Sequence, residues 1–327
     1  MSLSAAEYRQ CRIDSESPSG KVSRRSARLR IFRYAGMDTG DAGATGQVGI
    51  ADAGFAGGSR TYPKTNRPEK MKQRYPLLLG TTSYIIPDDI LPNAAMLAPL
   101  VDDIELVLFE SPDVSNIPTT EHISELSAIA AEHDCGFTVH FPTDRRAGSA
   151  DAGERTMFHN AALRIIDRCA PLSPRAWILH LEGISPNATD NEVSRWCERC
   201  AGVISDITQA VDDPATIAVE NLGYPWRWHD GLTREFGLSL CCDVGHLWLY
   251  EPLVWADHLN AMLPRTRVIH CHGVEGTRDH LSLSVGPHEA IRELFRIIRA
   301  SSFHGVITLE VFNERDFRSS MEVIENQ

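Results

Sequence analysis

Eight short apolar runs, separated by helix-length amphipathic segments, restrict this chain more than any other feature. The runs are PLLLGTTSYI from Pro76, IELVLFE from Ile104, FTVHFP from Phe137, AWILHLEG from Ala176, TIAVENLG from Thr216, LSLCCDVGH from Leu238, RVIHCHGV from Arg267 and VITLEVF from Val306. Between them the apolar spacing predicts helices over 119–133, 155–170, 190–211 and 286–302 and, less regularly, 253–262, with Asp190-Asn191-Glu192 marking one helix start. Strand and helix in alternation mean βα units. Eight of them in the 253 residues from 75 to 327 fit one closed (β/α)8 TIM barrel, an α/β fold, almost without remainder. An open doubly wound sheet would carry a glycine-rich phosphate loop after its first strand, and Gly80-Thr81-Thr82-Ser83 is neither a GxGxxG nor a Walker sequence.

Charge divides the chain at the same place. Residues 1–74 hold 14 Lys/Arg against 7 Asp/Glu, which leaves 18 against 37, a net charge of −19, for residues 75–327. So acidic a body repels a phosphate backbone, and nucleic acid is not expected as a substrate. Residues 1–74 are rich in Gly, Ser, Ala and Arg and have no sustained periodicity, so they are expected to be a disordered extension. Its basic run, Arg24, Arg25, Arg28, Arg30 and Arg33, reads as a solvated tail or an artefact of the start codon before it reads as a nucleic-acid or import signal. No run approaches the roughly 18 apolar residues of a membrane span, and no apolar stretch follows the N-terminal arginines, so a cytoplasmic protein without a membrane partner is expected. The eight cysteines agree: Cys135, Cys169, Cys241, Cys242 and Cys271 lie inside apolar runs as buried thiols, and Cys197-Glu198-Arg199-Cys200 falls in a helical pattern with no second pair at zinc-ligand spacing.

In a barrel of this kind the chemistry sits at the carboxyl ends of the strands. Ligand-type residues fall there on seven of the eight: Glu110, His140, His180, Glu220, Asp243 with His246, His270 with His272, and Glu310. A single buried His or Glu is more often a hydrogen-bonded structural residue than a ligand. Seven coincident strand ends are not explained that way, because each charged or imidazole side chain is costly in an apolar setting unless paired or metal-bound. Mixed nitrogen and oxygen donors point to a divalent cation, zinc or manganese, with one to three ions per chain. Asp243-Val244-Gly245-His246 is the most specific local motif: Gly245 would allow a tight turn that sends Asp243 inward and His246 to a second position over the barrel mouth.

These residues resemble the xylose-isomerase-like barrels, which include sugar-phosphate isomerases and epimerases and the apurinic endonuclease IV group. The resemblance spans residues 75–327. It implies one cation site of His140, His180 and Glu220, a second of Glu220, Asp243, His270 or His272, and Glu310, and a third of His246 with His280 and Asp279. Asp279 and His280 are adjacent here, where the endonuclease-like pattern separates them by one residue, and strand seven offers two histidines. The segments GTTSYIIPDDILPN, VDDIELVLFES, TVHFPTD, CDVGHLWLY and HCHGV further resemble the cobamide-remodelling phosphodiesterases. That likeness implies hydrolysis of the nucleotide loop of a small-molecule corrinoid, a cobamide.

Such a hydrolase would use Glu220 as the bridging carboxylate, with Glu310 and Asp243 opposite it, and Glu110 to orient water or to support the ligands. Arg145 and Arg146 are candidate phosphate clamps. Trp226, Trp228, Trp248 and Tyr250 are candidates for the corrin face, against the ordinary alternative of aromatic packing at the rim. Two other readings stand beside this one: a sugar-phosphate isomerase or epimerase with one cation and a glutamate base, and a corrinoid-binding protein without catalysis.

Overall fold

A computed structural model describes residues 77–111 and 115–327. The extension expected over residues 1–74, with its arginine run and Cys11, lies outside these residues. The chain runs β1 (Leu78–Thr82), α1 (Ile90–Leu97), β2 (Asp103–Val107), α2 (Thr120–His133), β3 (Gly136–His140), α3 (Ala152–Cys169), β4 (Trp177–Leu179) and α4 (Asp190–Thr208). It continues through β5 (Ile217–Glu220), α5 (Arg227–Glu235), β6 (Ser239–Asp243), α6 (Val244–Tyr250), α7 (Trp255–Met262) and β7 (Thr266–Cys271). The last part comprises β8 (Gly273–Glu275), β9 (Arg278–Leu281), α8 (His288–Ala300), β10 (Val306–Leu309) and α9 (Glu314–Glu325). Strands β1 to β7 and β10 close into an eight-stranded barrel, with β10 parallel to both β7 and β1. The expected TIM barrel is therefore the fold.

Every predicted strand forms, with one difference. The run from Arg267 reads as a single strand, yet β7 stops at Cys271, and Gly273–Glu275 turns away to pair antiparallel with β9 outside the barrel. This small hairpin brings His280 to the mouth. The helix over Asp190–Thr208 begins one residue earlier than its sequence signal suggests: Thr189 is the cap, in a reciprocal capping box with Glu192. Its buried side is the stripe Trp196, Cys200, Val203, Ile204 and Ile207, one face at helical spacing. Helices α1, α5, α6 and α9 are too short or too polar for the periodicity to announce.

Side chains alternate along each strand, and the two faces serve different purposes. Outward residues such as Ile104, Val139, Leu179, Val219, Cys242, Ile269 and Ile307 join the helices in the main core. Inward residues Ile178, Ala218, Cys241, Val268 and Val306, with Leu78, form a small plug inside the barrel. Two residues further along each of the same strands the inward position is taken by His180, Glu220, Asp243, His270 and Thr308, and then by His272 and Glu310. The polar layer therefore rests on an apolar floor, which fixes the inward aim of each side chain. All seven described cysteines are free thiols, and no helix among the described residues is long and apolar enough to cross a membrane.

Candidate metal centre

Glu220 is the hub of the polar layer. Its Oε2 lies 3.0 Å from His180 Nε2, 3.7 Å from His140 Nε2 and 3.2 Å from His270 Nδ1, and its Oε1 lies 3.5 Å from His246 Nδ1. On the far side His270 Nδ1 stands 3.1 Å from Glu310 Oε2, and Asp243 Oδ2 stands 3.3 Å from His246 Nδ1 and 3.2 Å from His272 Nε2. His280, on the hairpin, reaches to 3.9 Å from Glu310 Oε2. These donors come from β3, β5, β6, β7 and β9, from the start of α6 and from the residues just beyond β4, β7 and β10. Each was read from the sequence.

The donors group into sets whose ligand atoms all lie within 4.8 Å of one another: His140, His180 and Glu220; Glu220, Asp243, His270 and Glu310; and His246, His272 and His280. Glu220 belongs to the first two. Cys241, on the floor, also lies within that span of Glu220 and His270, but Asp279 joins none of the sets. The atoms face a common point more than they face each other: His270 Nδ1 and Glu310 Oε2 are buried without an aligned hydrogen bond. A mixed set of imidazole nitrogens and carboxylate oxygens that the protein satisfies only in part fits a divalent cation.

Backbone groups hold several donors in place. His140 Nδ1 is 2.7 Å from the carbonyl of Phe141, so its Nε2 is the nitrogen turned inward, and His246 Nδ1 is 3.0 Å from the carbonyl of Asn221. The Asn221 amide spans β5 and β6, accepting from Asp243 N–H at 2.8 Å and donating to the Asp243 carbonyl at 2.9 Å. Asp243 caps α6 by accepting from His246 N–H, also at 2.8 Å. His272 Nδ1 meets the backbone N–H of His280 at 3.0 Å, and His280 itself has a left-handed backbone with φ of 51°. That conformation is uncommon outside glycine and is concentrated at functional sites.

Electrostatics match the geometry. Burial pushes the Glu220 and Glu310 carboxyls up, but His180 and His270 hold Glu220, and His270 and His280 hold Glu310, well below the ordinary range. Burial alone would lower His270, yet Cys241, Glu105, Glu310 and Glu220 carry it well above an ordinary imidazole. The imidazoles around them thus favour the charged form of both carboxylates, the form that binds a cation.

Six residues singled out in the sequence stand apart from this cluster. Glu110 lies three residues beyond β2, where its Oε1 accepts from Arg164 at 2.6 Å. Arg145 Nε donates to the Glu110 carbonyl at 2.8 Å, and Arg146 makes a two-pronged pair with Glu154 at 2.8 Å on each prong. Trp226 is buried, donates to His258 Nδ1 at 2.6 Å and carries Arg227 over its ring. Trp228 and Trp248 pack on Tyr224 and Trp255. Tyr250 differs: it is 43% exposed, with its ring 6.0 Å from that of His246. The sequence reading passed over Glu105, buried in the middle of β2, whose Oε2 is 2.9 Å from His270 Nε2. The available signal was an acidic residue inside an apolar run.

The model of the xylose isomerase-like TIM barrel family matches residues 101–327. The chain belongs to that family. Among solved structures, a D-tagatose 3-epimerase-like protein is 20% identical, with a TM-score of 0.59 over 76% of this chain and 96% of its own. The 3-keto-D-glucoside 4-epimerase from E. coli is 14% identical, with a TM-score of 0.60 over 76% and 98%. Endonuclease IV from Thermus thermophilus is 15% identical, with a TM-score of 0.58 over 76% and 100%. At such identities the likeness establishes the fold. No curated protein matches in sequence. Sugar epimerases and an endonuclease thus share this barrel, and only the site of this chain can choose between their chemistries.

Proposed function

We propose that this barrel is a metal-dependent phosphodiesterase that opens the nucleotide loop of cobamides. The observation that carries the reading is the number of sets built from imidazole and carboxylate donors alone: three among the described residues, two of them joined by Glu220 and the third made of His246, His272 and His280. The single set Glu220, Asp243, His270 and Glu310 is sufficient for one cation, as a sugar isomerase or epimerase requires. The additional imidazoles favour a centre of two or three cations, zinc or manganese, as phosphoester hydrolysis employs. When bound, such cations neutralise the charge of a phosphodiester and acidify water.

The chain's own groups do the positioning. Glu220 bridges the first two sets, Asp243 and Glu310 face each other across His270, and His246 stands where α6 meets the mouth. Tyr250 presents a half-exposed ring beside His246, at the place where the flat face of a corrinoid would arrive. Arg145 is the better candidate for a phosphate contact, because Arg146 is neutralised by Glu154 while Arg145 gives its Nε to the uncharged Glu110 carbonyl. Both the corrinoid specificity and the hydrolytic step extend the family likeness of the loop segments around these strands.

Incubation of the purified protein with a cobamide, following the corrinoid products by mass, tests the proposal. Glu220→Ala and His246→Ala should each abolish hydrolysis while circular dichroism shows an intact barrel, and full activity in both variants overturns it. One bound cation together with turnover of ketoses would place the protein with the epimerases instead. A corrinoid bound and returned unchanged would make it a carrier.

A further inference from the structure

We propose that Glu105 is a positioning residue that fixes His270 as an Nδ1 ligand of the central cation set, a role that rests on the metal-centre reading above. Glu105 and His270 are separated by 165 residues in sequence and meet in the barrel interior, Oε2 to Nε2, at 2.9 Å. Both side chains are fully buried. With the Glu105 oxygen as acceptor, the contact places a proton on Nε2 of His270 and leaves Nδ1 as the nitrogen with a lone pair to give. Nδ1 is the atom that faces Glu220 Oε2 at 3.2 Å and Glu310 Oε2 at 3.1 Å without an aligned hydrogen bond.

A buried carboxylate in the middle of a strand is costly, and an apolar residue would fill the site at less expense. Only one oxygen of Glu105 is used; Oε1 has no hydrogen-bond partner among the described residues. The side chain is thus retained against its desolvation for a single bond, and that bond ends on a ligand. Among the other inward histidines, His140 is held by the carbonyl of Phe141 and His246 by that of Asn221, with Asp243 Oδ2 3.3 Å away, while His180 Nδ1 lies 3.6 Å from the partly exposed Glu182. His270 is backed by a carboxylate that is itself fully buried. A carboxylate behind an imidazole prevents the ring from flipping and makes the opposite nitrogen a stronger donor.

The test reads cation binding and not turnover. Zn2+ affinity is measured by competition with a chromophoric chelator for the wild type, Glu105→Gln and Glu105→Leu. Nitrogen-15 spectra of the Zn2+-loaded proteins report which His270 nitrogen carries the proton. Zn2+ affinity should fall about 10- to 100-fold in Glu105→Leu and by less in Glu105→Gln, whose amide oxygen still accepts from Nε2 but without charge. The wild type should show Nε2–H, and Glu105→Leu should lose that preference. A merely structural role would lower the melting temperature and move neither readout. Unchanged affinity in either folded variant, or a proton on Nδ1 in the loaded wild type, overturns the proposal. If Glu105→Leu does not fold, the affinity of Glu105→Gln decides. A protein whose Zn2+ affinity depends on Glu105 but which leaves cobamides intact would sink the proposed hydrolysis and keep this role.

Discussion

Gly245 and the ring of His272 are packed so closely that a methyl group on Gly245 would stand 2.2 Å from the imidazole Cε1. The sequence suggests that this glycine serves a tight turn. The structure gives a different reason: residue 245 lies in the first turn of α6, and it is absent from the residues with positive φ. Glycine is there because the space above its Cα belongs to His272, whose Nε2 contacts Asp243 at 3.2 Å.

Gly245→Ala should therefore reverse the usual helix effect. Backbone entropy alone would favour alanine by about 0.5–1 kcal/mol. Displacing the ring should outweigh this, giving a net loss of about 1–3 kcal/mol by chemical unfolding and weaker Zn2+ binding in the chelator assay. A stabilised variant with unchanged Zn2+ affinity would contradict the packing argument.

His180 sets a pH dependence. Burial would lower its pKa, but Glu220, with Glu182, raises it from 6.5 to about 10. A raised imidazole pKa stabilises the cation-free fold fully below pH 6.5, and that contribution is lost as pH rises through 10. The melting temperature of chelator-treated protein should fall between these limits, and the zinc-loaded form should fall less. Adding Zn2+ in weak buffer at pH 7 should release protons, since the ligand must give one up. Binding without proton release would refute this.

Glu110 should matter little to catalysis. Its carboxylate is engaged by Arg164 at 2.6 Å, and none of its contacts is with the metal donors. Glu110→Gln should change kcat/KM by less than about threefold and stability by no more than about 1 kcal/mol, as for a partly exposed ion pair. A loss of a hundredfold or more in kcat would restore it to the reacting groups.

His229 should make the fold acid-sensitive. Buried on α5 with both ring nitrogens lacking a hydrogen-bond partner, it has its pKa pushed by desolvation from 6.5 down to about 4. A depressed imidazole pKa means stability that is complete above pH 6.5 and is lost as pH falls toward 4, at most about 3 kcal/mol. Urea unfolding from pH 7 to pH 4 should lose less stability in His229→Leu than in the wild type. Parallel pH profiles would show that the ring is not the cause.

The barrel was legible because its signal is local and repeated: each strand declares itself by four or five apolar residues, and β/α alternation admits few other arrangements. The candidate donors were legible because strand ends and a barrel's functional face coincide. Glu105 was not, since one carboxylate inside an apolar run has no partner in its own neighbourhood of sequence; His270 is 165 residues away. The ion pairs of Glu110 and Arg146 were hidden for the same reason, as their partners, Arg164 and Glu154, lie on the outer helix α3.

Sequence by itself thus determined the fold, the inward parity of the donors and the residue types available for a cation. Tertiary structure alone decided which donors share one point, which nitrogen of each imidazole faces it, and which candidates are already neutralised elsewhere. Periodicity is a property of neighbours along the chain. Coordination depends on distances of 3 to 4 Å between strands far apart in it, such as those from Glu220 to His180 and His246, and barrel closure is what sets them.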